Sequence, residues 1–264
     1  MKTKIPDSGL LLQSATYQLP AHKLMLTAWF EPVWDNLGRL AALEILSKPK
    51  FTGSDITISA ETVFQYLSEP EQTEIFEWQL SVVKQLTPWC DANGLLLTLN
   101  LTKQQATGIM KLPHLQHMIA ELHPVLRLEI SEHFIEDYSH PANDPLLIKM
   151  RSLSRLWLDD FGRGSLGVLA VMSGIFEYVK IDKDLLWKLE QSETSGKNFL
   201  KALSLLLSSS KVKVLAEGVS NSKTMKFALS SGVNFCQGFR WQGTGAEGLR
   251  YFPMKLPRKI SALR

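Results

Sequence analysis

The stretch Arg155-Leu-Trp-Leu-Asp-Asp-Phe-Gly162 places a run of apolar residues directly before two aspartates. The run is typical of a buried β-strand, and Asp159 and Asp160 mark its carboxyl end. Adjacent side chains of an ideal strand point to opposite faces, so both acids can face one site only where the chain turns. The glycine-containing segment 161–164 is flexible enough for such a turn.

The same arrangement recurs along the chain, because polar residues close several other apolar runs. In a barrel of parallel strands the carboxyl ends meet at one mouth, so these side chains are predicted to converge. Carboxylates crowded together cannot all stay ionised unless cations lie among them, so the pattern predicts a metal site and points to hydrolysis. The residues that close these runs are Glu44, Asn100, Glu129, Lys180, Glu217 and Gln237.

The candidate ligands are all oxygen donors, with no histidine or cysteine among them. Oxygen ligands select Mg²⁺, Mn²⁺ or Ca²⁺ over zinc. Five carboxylates exceed the charge that one divalent ion neutralises, so two ions are expected. Two ions a few ångströms apart can hold a phosphodiester and activate a water. Lys180, a cation among these acids, could orient that water or stabilise negative charge in the transition state.

The order of apolar runs predicts a modified TIM (β/α)8 barrel with an antiparallel first strand. Leu26–Val33 and Leu40–Leu46 are predicted strands joined by a turn too short for a crossover helix, so they should run antiparallel. Helices are expected over Ile58–Pro88, divided at Pro70. Six further strands should alternate with helices, at about 95–100, 125–130, 155–160, 176–181, 212–217 and 233–238.

Length and composition indicate one globular domain, residues 26–264, with residues 1–25 as a lead-in that packs on it. The chain has 264 residues, 45% of them hydrophobic and 21% charged. The net charge of +3 is scattered, which disfavours DNA binding. No signal peptide is expected, because the first residues lack its apolar stretch, and no apolar run approaches the roughly 18 residues of a membrane span. With Cys90 and Cys236 read as free thiols, we expect a cytoplasmic protein.

Other motifs were weighed against less specific interpretations. Asp-Phe-Gly also occurs in protein kinases, but no glycine-rich phosphate loop accompanies it here. His114 and His117 have a spacing that suits a metal pair, yet no third ligand is near, so a surface role is favoured. Trp29 is expected in the core, whereas Trp241, close to Gln237, could stack on a base.

Taken together and in order, these motifs resemble the EAL family of bacterial cyclic di-GMP phosphodiesterases. The resemblance covers residues from about 26 to 240. The matching motifs are Glu44-Ile45-Leu46 for Glu-Ala-Leu, Asn100, Glu129-Ile130-Ser131-Glu132 for Glu-x-x-Glu, Asp159–Gly162 for Asp-Asp-Phe-Gly, Lys180-Ile181-Asp182 for Lys-Ile-Asp, Glu217-Gly218-Val219 for Glu-Gly-Val, and Gln237-Gly238 for Gln-Gly.

The resemblance implies the same barrel and the hydrolysis of cyclic di-GMP to linear pGpG with two Mg²⁺ or Mn²⁺ ions, Ca²⁺ being inhibitory. It implies a catalytic set of Glu44, Asp160, Lys180 and Glu217, in which Lys180 holds the attacking water and Glu217 assists its attack. It implies metal ligation by Glu44, Asn100, Glu129 and Asp159 at one ion and by Asp159, Asp160 and Glu217 at the other. Glu132 is implied to brace the loop after Asp160, and Gln237, Lys48 and Glu31 are implied substrate contacts.

The chain departs from the family pattern at several positions. Lys48 replaces an arginine, Glu31 a glutamine and Ser220 a glutamate, and the segments 163–167 and 238–248 are unusual. Two hypotheses therefore stay open. The first is an active phosphodiesterase that lowers the messenger and favours motility over biofilm formation. The second is a degenerate module that binds cyclic di-GMP or a protein partner without cleavage. The resemblance also suggests a homodimer through the loop after Asp160.

Overall fold

The computed structural model describes residues 15–18, 23–51, 58–135 and 140–256. Within these ranges ten strands form one sheet, and eight of them, β2 to β9, close into a barrel. The strands are β1 Ala15–Gln18, β2 Lys23–Asp35, β3 Leu40–Phe51, β4 Leu96–Asn100, β5 Leu126–Ser131, β6 Arg155–Phe161, β7 Phe176–Ile181, β8 Lys213–Ala216, β9 Phe235–Cys236 and β10 Thr244–Gly245.

Strand direction confirms the predicted modified (β/α)8 barrel. Strands β3 to β9 pair in sequence order, and every pair is parallel. Strand β2 runs antiparallel to β3, with Glu31 opposite Glu44, and antiparallel to β9, with Trp34 opposite Cys236. The β2–β3 connection is a tight turn, which leaves no room for the crossover helix that a parallel pair needs.

Helices cover the outside of the barrel. They are α1 Ala60–Tyr66, α2 Glu69–Asn93, α3 Lys103–Met110, α4 Pro113–Leu122, α5 Pro145–Leu153, α6 Val168–Val171, α7 Lys183–Gln191, α8 Glu193–Ser209 and α9 Ser222–Ser230.

The predicted helical boundaries over 58–88 were wrong in two places. The break falls at Leu67 and Ser68, and Pro70 lies in the first turn of α2, where its missing N–H costs nothing. Glu71 accepts hydrogen bonds from the backbone N and the hydroxyl of Ser68, which caps the helix. Helix α2 also continues through Pro88 to Asn93, because its buried face packs on the barrel over its whole length.

Apolar side chains fill the half of the barrel interior that lies toward the amino-terminal ends of the parallel strands. Val33, Ala42, Trp157, Tyr178 and Leu215 form a cluster there, and the rings of Trp157 and Tyr178 stack with centroids 4.2 Å apart. A much larger cluster lies between the outer barrel wall and the helices. The strand ends that carry the candidate site therefore rest on a packed apolar layer, which holds them in place.

The segments flanking the barrel both pair with β2. β1 pairs with the first residues of β2, and β10 pairs with Trp29 and Phe30. The predicted lead-in, 1–25, lies mostly outside the described residues, and its boundary stays a proposal. In the described parts of the chain no helix is long and apolar enough to cross a membrane. Cys90 and Cys236 are buried free thiols, and burial raises the pKa of each to about 12.

Candidate active site

Lys180, near the carboxyl end of β7, is surrounded by four carboxylates, which come from β3, β5, β6 and the residue after β8. It is 1% exposed. Its ammonium nitrogen lies 2.5 Å from Glu129 Oε2 and 2.7 Å from Glu217 Oε1. The corresponding distances to Asp159 Oδ1 and Glu44 Oε2 are 3.2 Å and 3.3 Å. Four of the five acids that the sequence predicted to converge thus meet around one buried cation, whereas Asp160 pairs with Arg163 at 3.3 Å.

Burial and mutual repulsion dominate the electrostatics of this cluster. Burial, helped by the charge of Glu44, raises the pKa of Glu129 to about 8. Burial likewise raises the pKa of Asp159 and of Glu217, against the attraction of Lys180. Burial opposes the charge on Lys180 as well, but the surrounding carboxylates outweigh it and hold its pKa well above the usual value. Four acids beside one ammonium therefore cannot all stay ionised without a further cation.

Glu44 is the acid that is best supported by hydrogen bonds. Its Oε1 accepts a bond of 2.7 Å from Asn100 Nδ2, and its Oε2 accepts one of 2.6 Å from Gln237 Nε2. Burial opposes ionisation of Glu44, yet Lys180 and these two amides together lower its pKa. Glu44 is thus held as a carboxylate in a fixed orientation.

The turn after Asp159 brings both aspartates to the mouth. Asp160 has a left-handed backbone with φ of 59°, and its amide donates a 2.9 Å hydrogen bond to Asp159 Oδ1. One oxygen each of Asp159, Asp160 and Glu217 lie within 4.8 Å of one another. A left-handed residue costs free energy unless it is a glycine, and aspartate is among the side chains that tolerate it best.

The donor set fits divalent metal ions. All the ligand candidates are oxygen donors, which suits Mg²⁺ or Mn²⁺. Glu129 Oε1 is buried and has no hydrogen-bond partner, so this carboxylate has one oxygen left for a cation. Asn100 uses its amide nitrogen on Glu44, which leaves its amide oxygen as the donor for a metal. These residues and the trio of Asp159, Asp160 and Glu217 are the ones that would hold two ions.

Glu132 connects β5 to the loop after Asp160. It is buried, and its Oε1 accepts a 2.9 Å hydrogen bond from Gly162 N, while its Oε2 lies 3.5 Å from Leu166 N. A Cβ atom at Gly164 would overlap Oε2 of Glu132. The loop therefore closes around a buried carboxylate, which any side chain at position 164 would displace.

Gly164→Ala is expected to reduce catalytic turnover about tenfold or more, because the displaced loop would shift Asp160 away from Asp159. Gly167→Ala is the matched control, since a Cβ at Gly167 has no atom within 4 Å and its φ of −75° suits alanine. The check is the rate of substrate turnover for both variants together with their thermal unfolding. Equal rates in the two variants would show that the loop does not position Asp160.

The three implied substrate contacts line the side of the mouth formed by β2, β3 and β9. Gln237 is buried beside Glu44, whereas Glu31 is half-buried and Lys48 is exposed. Burial and the charge of Glu44 raise the pKa of Glu31. The Lys48 ammonium lies 3.0 Å above the centroid of the Trp29 ring. Trp29 is half-buried on this side of the mouth, so the prediction that it lies in the core is wrong.

Trp241 is not placed to stack on a base at the mouth. It packs against Trp34, with ring centroids 6.2 Å apart, in the cluster outside the barrel wall. The two histidines whose spacing suits a metal pair are on the surface. His114 lies 3.2 Å from Glu77, and His117 lies 3.2 Å from Glu121.

Comparison with known proteins shows the family to which the chain belongs. The sequence model of the EAL domain matches residues 16–243. The chain belongs to the EAL domain family. This EAL chain has the barrel of that family and the motif residues that carry the resemblance.

Two curated relatives are similar to this EAL chain over most of its length. It is 25% identical over 211 residues to the cyclic di-GMP phosphodiesterase PdeH of Escherichia coli K12, covering 80% of each chain. It is also 25% identical over 213 residues to the anti-FlhC(2)FlhD(4) factor YdiV of Salmonella arizonae, covering 81% of this chain and 89% of the relative.

Solved structures share the fold. The crystal structure of the EAL-like domain protein YdiV superposes with a TM-score of 0.79 at 20% identity, covering 89% of this EAL chain and 97% of that one. The PaMucR phosphodiesterase in complex with c-di-GMP superposes with a TM-score of 0.69 at 20% identity, covering 85% of this chain and 99% of that one. At these identities the likeness concerns the fold.

Proposed function

We propose that this chain hydrolyses cyclic di-GMP to linear pGpG with two divalent ions, Mg²⁺ or Mn²⁺, and that Ca²⁺ inhibits it. The observation that carries the proposal is the convergence of Glu44, Glu129, Asp159 and Glu217 on Lys180, with every ion-pair distance at or below 3.3 Å. A binding module has no need of so many buried acids, because they are costly to keep ionised. The phosphodiesterase PdeH, 25% identical, supports the same reading.

Bound metal ions would supply the positive charge that the acids lack and would lower the pKa of a water. Lys180 is the group proposed to orient that water, and its ammonium lies among the four acids that would hold the ions. Glu217 and Asp160 each have an oxygen within 4.8 Å of one oxygen of Asp159, and Glu217 is the one proposed to assist the attack. Gln237, Lys48 and Glu31 are proposed to contact the substrate.

Lys48→Arg is expected to tighten cyclic di-GMP binding by up to about tenfold. Arginine can donate two parallel hydrogen bonds to a phosphate, and its planar head can still stack on Trp29. Calorimetric titration in Ca²⁺, which blocks turnover under the proposal, gives the Kd. Lys84→Arg, an exposed exchange on α2, is the control that should leave the Kd unchanged. A Kd unaffected by Lys48→Arg would remove Lys48 from the substrate site.

A second candidate function is protein binding without cleavage. It is favoured by the similarity to relatives named as anti-FlhC(2)FlhD(4) factors, which match this chain at 22–25% identity over 213 residues. It is also favoured by the altered positions Lys48 and Glu31.

A homodimer through the loop after Asp160 stays a prediction. Leu169, 80% exposed next to that loop, is the apolar side chain that such a contact would cover.

The experiment that separates these functions is incubation of the purified chain with cyclic di-GMP in Mg²⁺, Mn²⁺, Ca²⁺ or EDTA, followed by chromatography. Production of pGpG in Mg²⁺ or Mn²⁺, and its absence in Ca²⁺ or EDTA, is the expected result. Binding without product would make the chain a receptor. Neither binding nor product would favour the protein-binding function. In cells we propose a cytoplasmic enzyme whose deletion raises cyclic di-GMP and reduces motility.

A further inference from the structure

A second pocket opens at the end of the barrel opposite the candidate active site. Its volume is about 630 Å³, which lies within the range of roughly 300–1,000 Å³ typical of small-molecule sites. It is bounded by the amino-terminal ends of five barrel strands and by the segment after Phe252. The side chains that matter here are Arg39, Tyr178, Lys213, Asn234, Phe235 and Lys255.

The pocket has an aromatic wall backed by the barrel core. The rings of Tyr178 and Phe235 lie 5.0 Å apart between centroids, and Tyr178 in turn stacks on the buried Trp157. Tyr178 is 4% exposed, so its position is fixed by packing. A fixed aromatic surface offers a planar ligand contact area at little entropic cost.

The pocket carries an excess of positive charge. Both oxygens of Asp35 already have hydrogen-bond partners. One accepts a 2.7 Å hydrogen bond from Arg39 Nε, and the other accepts hydrogen bonds from the backbone amides of Leu37 and Arg39. Lys213 lies 5.0 Å from the Tyr178 ring centroid and donates to its hydroxyl at 3.2 Å. In the described ranges, neither Lys213 nor Lys255 has a carboxylate within ion-pair distance. Two ammonium groups therefore face the pocket without a negative partner.

Backbone hydrogen bonds hold the walls in place. Leu40 N donates to Met254 O at 3.0 Å, and Leu256 N donates to Gly38 O at 2.8 Å, which ties the carboxy-terminal segment to the β2–β3 turn. Asn234 Oδ1 accepts a 2.9 Å bond from Val214 N. This bond orients the Asn234 amide, and its Nδ2 has no partner among the residues that the structure describes. The pocket is thus preformed and offers a polar donor beside the aromatic wall.

We propose that this pocket is a second ligand site, which takes a small anion built on a planar aromatic ring, of about mononucleotide size. The ring would lie against Phe235 and the edge of Tyr178, and the anionic group would be held by Lys213 and Lys255. Neither the aromatic wall nor the lysines belong to the strand ends around Lys180. The site is independent of the proposed phosphodiesterase activity.

The test is calorimetric titration of the full chain with adenosine 5′-monophosphate in EDTA, compared with adenosine and with inorganic phosphate. We expect one molecule of the monophosphate to bind, and adenosine and phosphate to bind at least about tenfold more weakly. Lys213→Glu should weaken monophosphate binding at least about tenfold by reversing one charge. Lys201→Glu, an exposed exchange on α8, should not change it.

Further controls distinguish binding in this pocket from the effects of misfolding and from binding at the candidate active site. Lys213→Gln, which removes the charge at an exposed position, should unfold at the wild-type temperature and weaken binding less than Lys213→Glu. Glu44→Ala should bind the monophosphate as the wild type does. The proposal is overturned if no monophosphate binds, if phosphate alone binds as tightly, if Lys213→Glu has no larger effect than Lys201→Glu, or if Glu44→Ala abolishes binding.

Discussion

Glu44→Ala is expected to lower the rate of pGpG formation on the order of 10³-fold. Glu44 receives hydrogen bonds from Asn100 and Gln237 and lies 3.3 Å from Lys180, so its loss removes a proposed metal ligand and frees three of its neighbours. The measurement is the initial rate in Mg²⁺ by chromatography. Circular dichroism of the same sample reports whether the barrel is intact.

The control for Glu44→Ala is Glu74→Ala, which removes an exposed acid from α2 and should leave the rate unchanged. The same pair of variants separates the two candidate functions. Under the protein-binding function, Glu44→Ala should leave partner binding intact, because Glu44 is only 6% exposed. A Glu44→Ala protein that is folded and retains wild-type turnover would contradict the assignment of this residue.

Lys180→Met is expected to give the largest loss of stability, and the loss should depend on metal. Removing the cation leaves four neighbouring carboxylates uncompensated, and breaking a buried ion pair from one side typically costs about 3–5 kcal/mol of the free energy of unfolding. For a domain of this size the loss amounts to roughly 10 °C in Tm. Part of it should be recovered in Mg²⁺, because a bound cation would take over the neutralisation.

The measurement for Lys180→Met is thermal unfolding in EDTA and in Mg²⁺, with Lys84→Met on the exposed face of α2 as the matched control. The control should unfold at the wild-type temperature in both buffers. If Lys180→Met were destabilised equally in EDTA and in Mg²⁺, the carboxylates around Lys180 would not form a metal site. Turnover of Lys180→Met should be lost in either case.

Most of the barrel could be predicted from short continuous apolar runs in the sequence. The apolar runs that end at Glu129, Asp159 and Lys180 each became a parallel strand within a residue or two of the predicted bounds. These predictions succeed because a strand buried on both faces is a short continuous apolar run, whatever its neighbours are. The antiparallel pairing of β2 and β3 could be predicted because the turn between them is too short for a crossover helix.

The helical boundary near Pro70 was missed because proline marks a helix start as often as a break. The decisive signal was the Ser68 and Glu71 capping pair, which is visible in the sequence. Trp29 was missed for a different reason. Its position two residues before Glu31 puts it on the same face of β2, so strand alternation would have placed it at the mouth. The contact with Lys48 depends on side-chain orientation.

Other features depend on tertiary structure and had no local signal. The pocket at the lower end of the barrel draws Arg39, Tyr178, Lys213 and Lys255 from four distant segments. Trp241 was misjudged because closeness in sequence to Gln237 does not fix which side of the wall a ring occupies. Gly164 leaves room for the carboxylate of Glu132, a residue 32 positions earlier in the chain.

Metal-dependent hydrolysis puts one oxygen atom of the solvent into the product. Purified chain and cyclic di-GMP are incubated in ¹⁸O-labelled water with Mg²⁺, and the product is analysed by mass spectrometry. We expect pGpG that carries one ¹⁸O atom in its terminal phosphate, formed in Mg²⁺ and not in EDTA. A Glu44→Ala protein purified in parallel should form none. Unchanged cyclic di-GMP in Mg²⁺ and in Mn²⁺ would contradict the proposed hydrolysis.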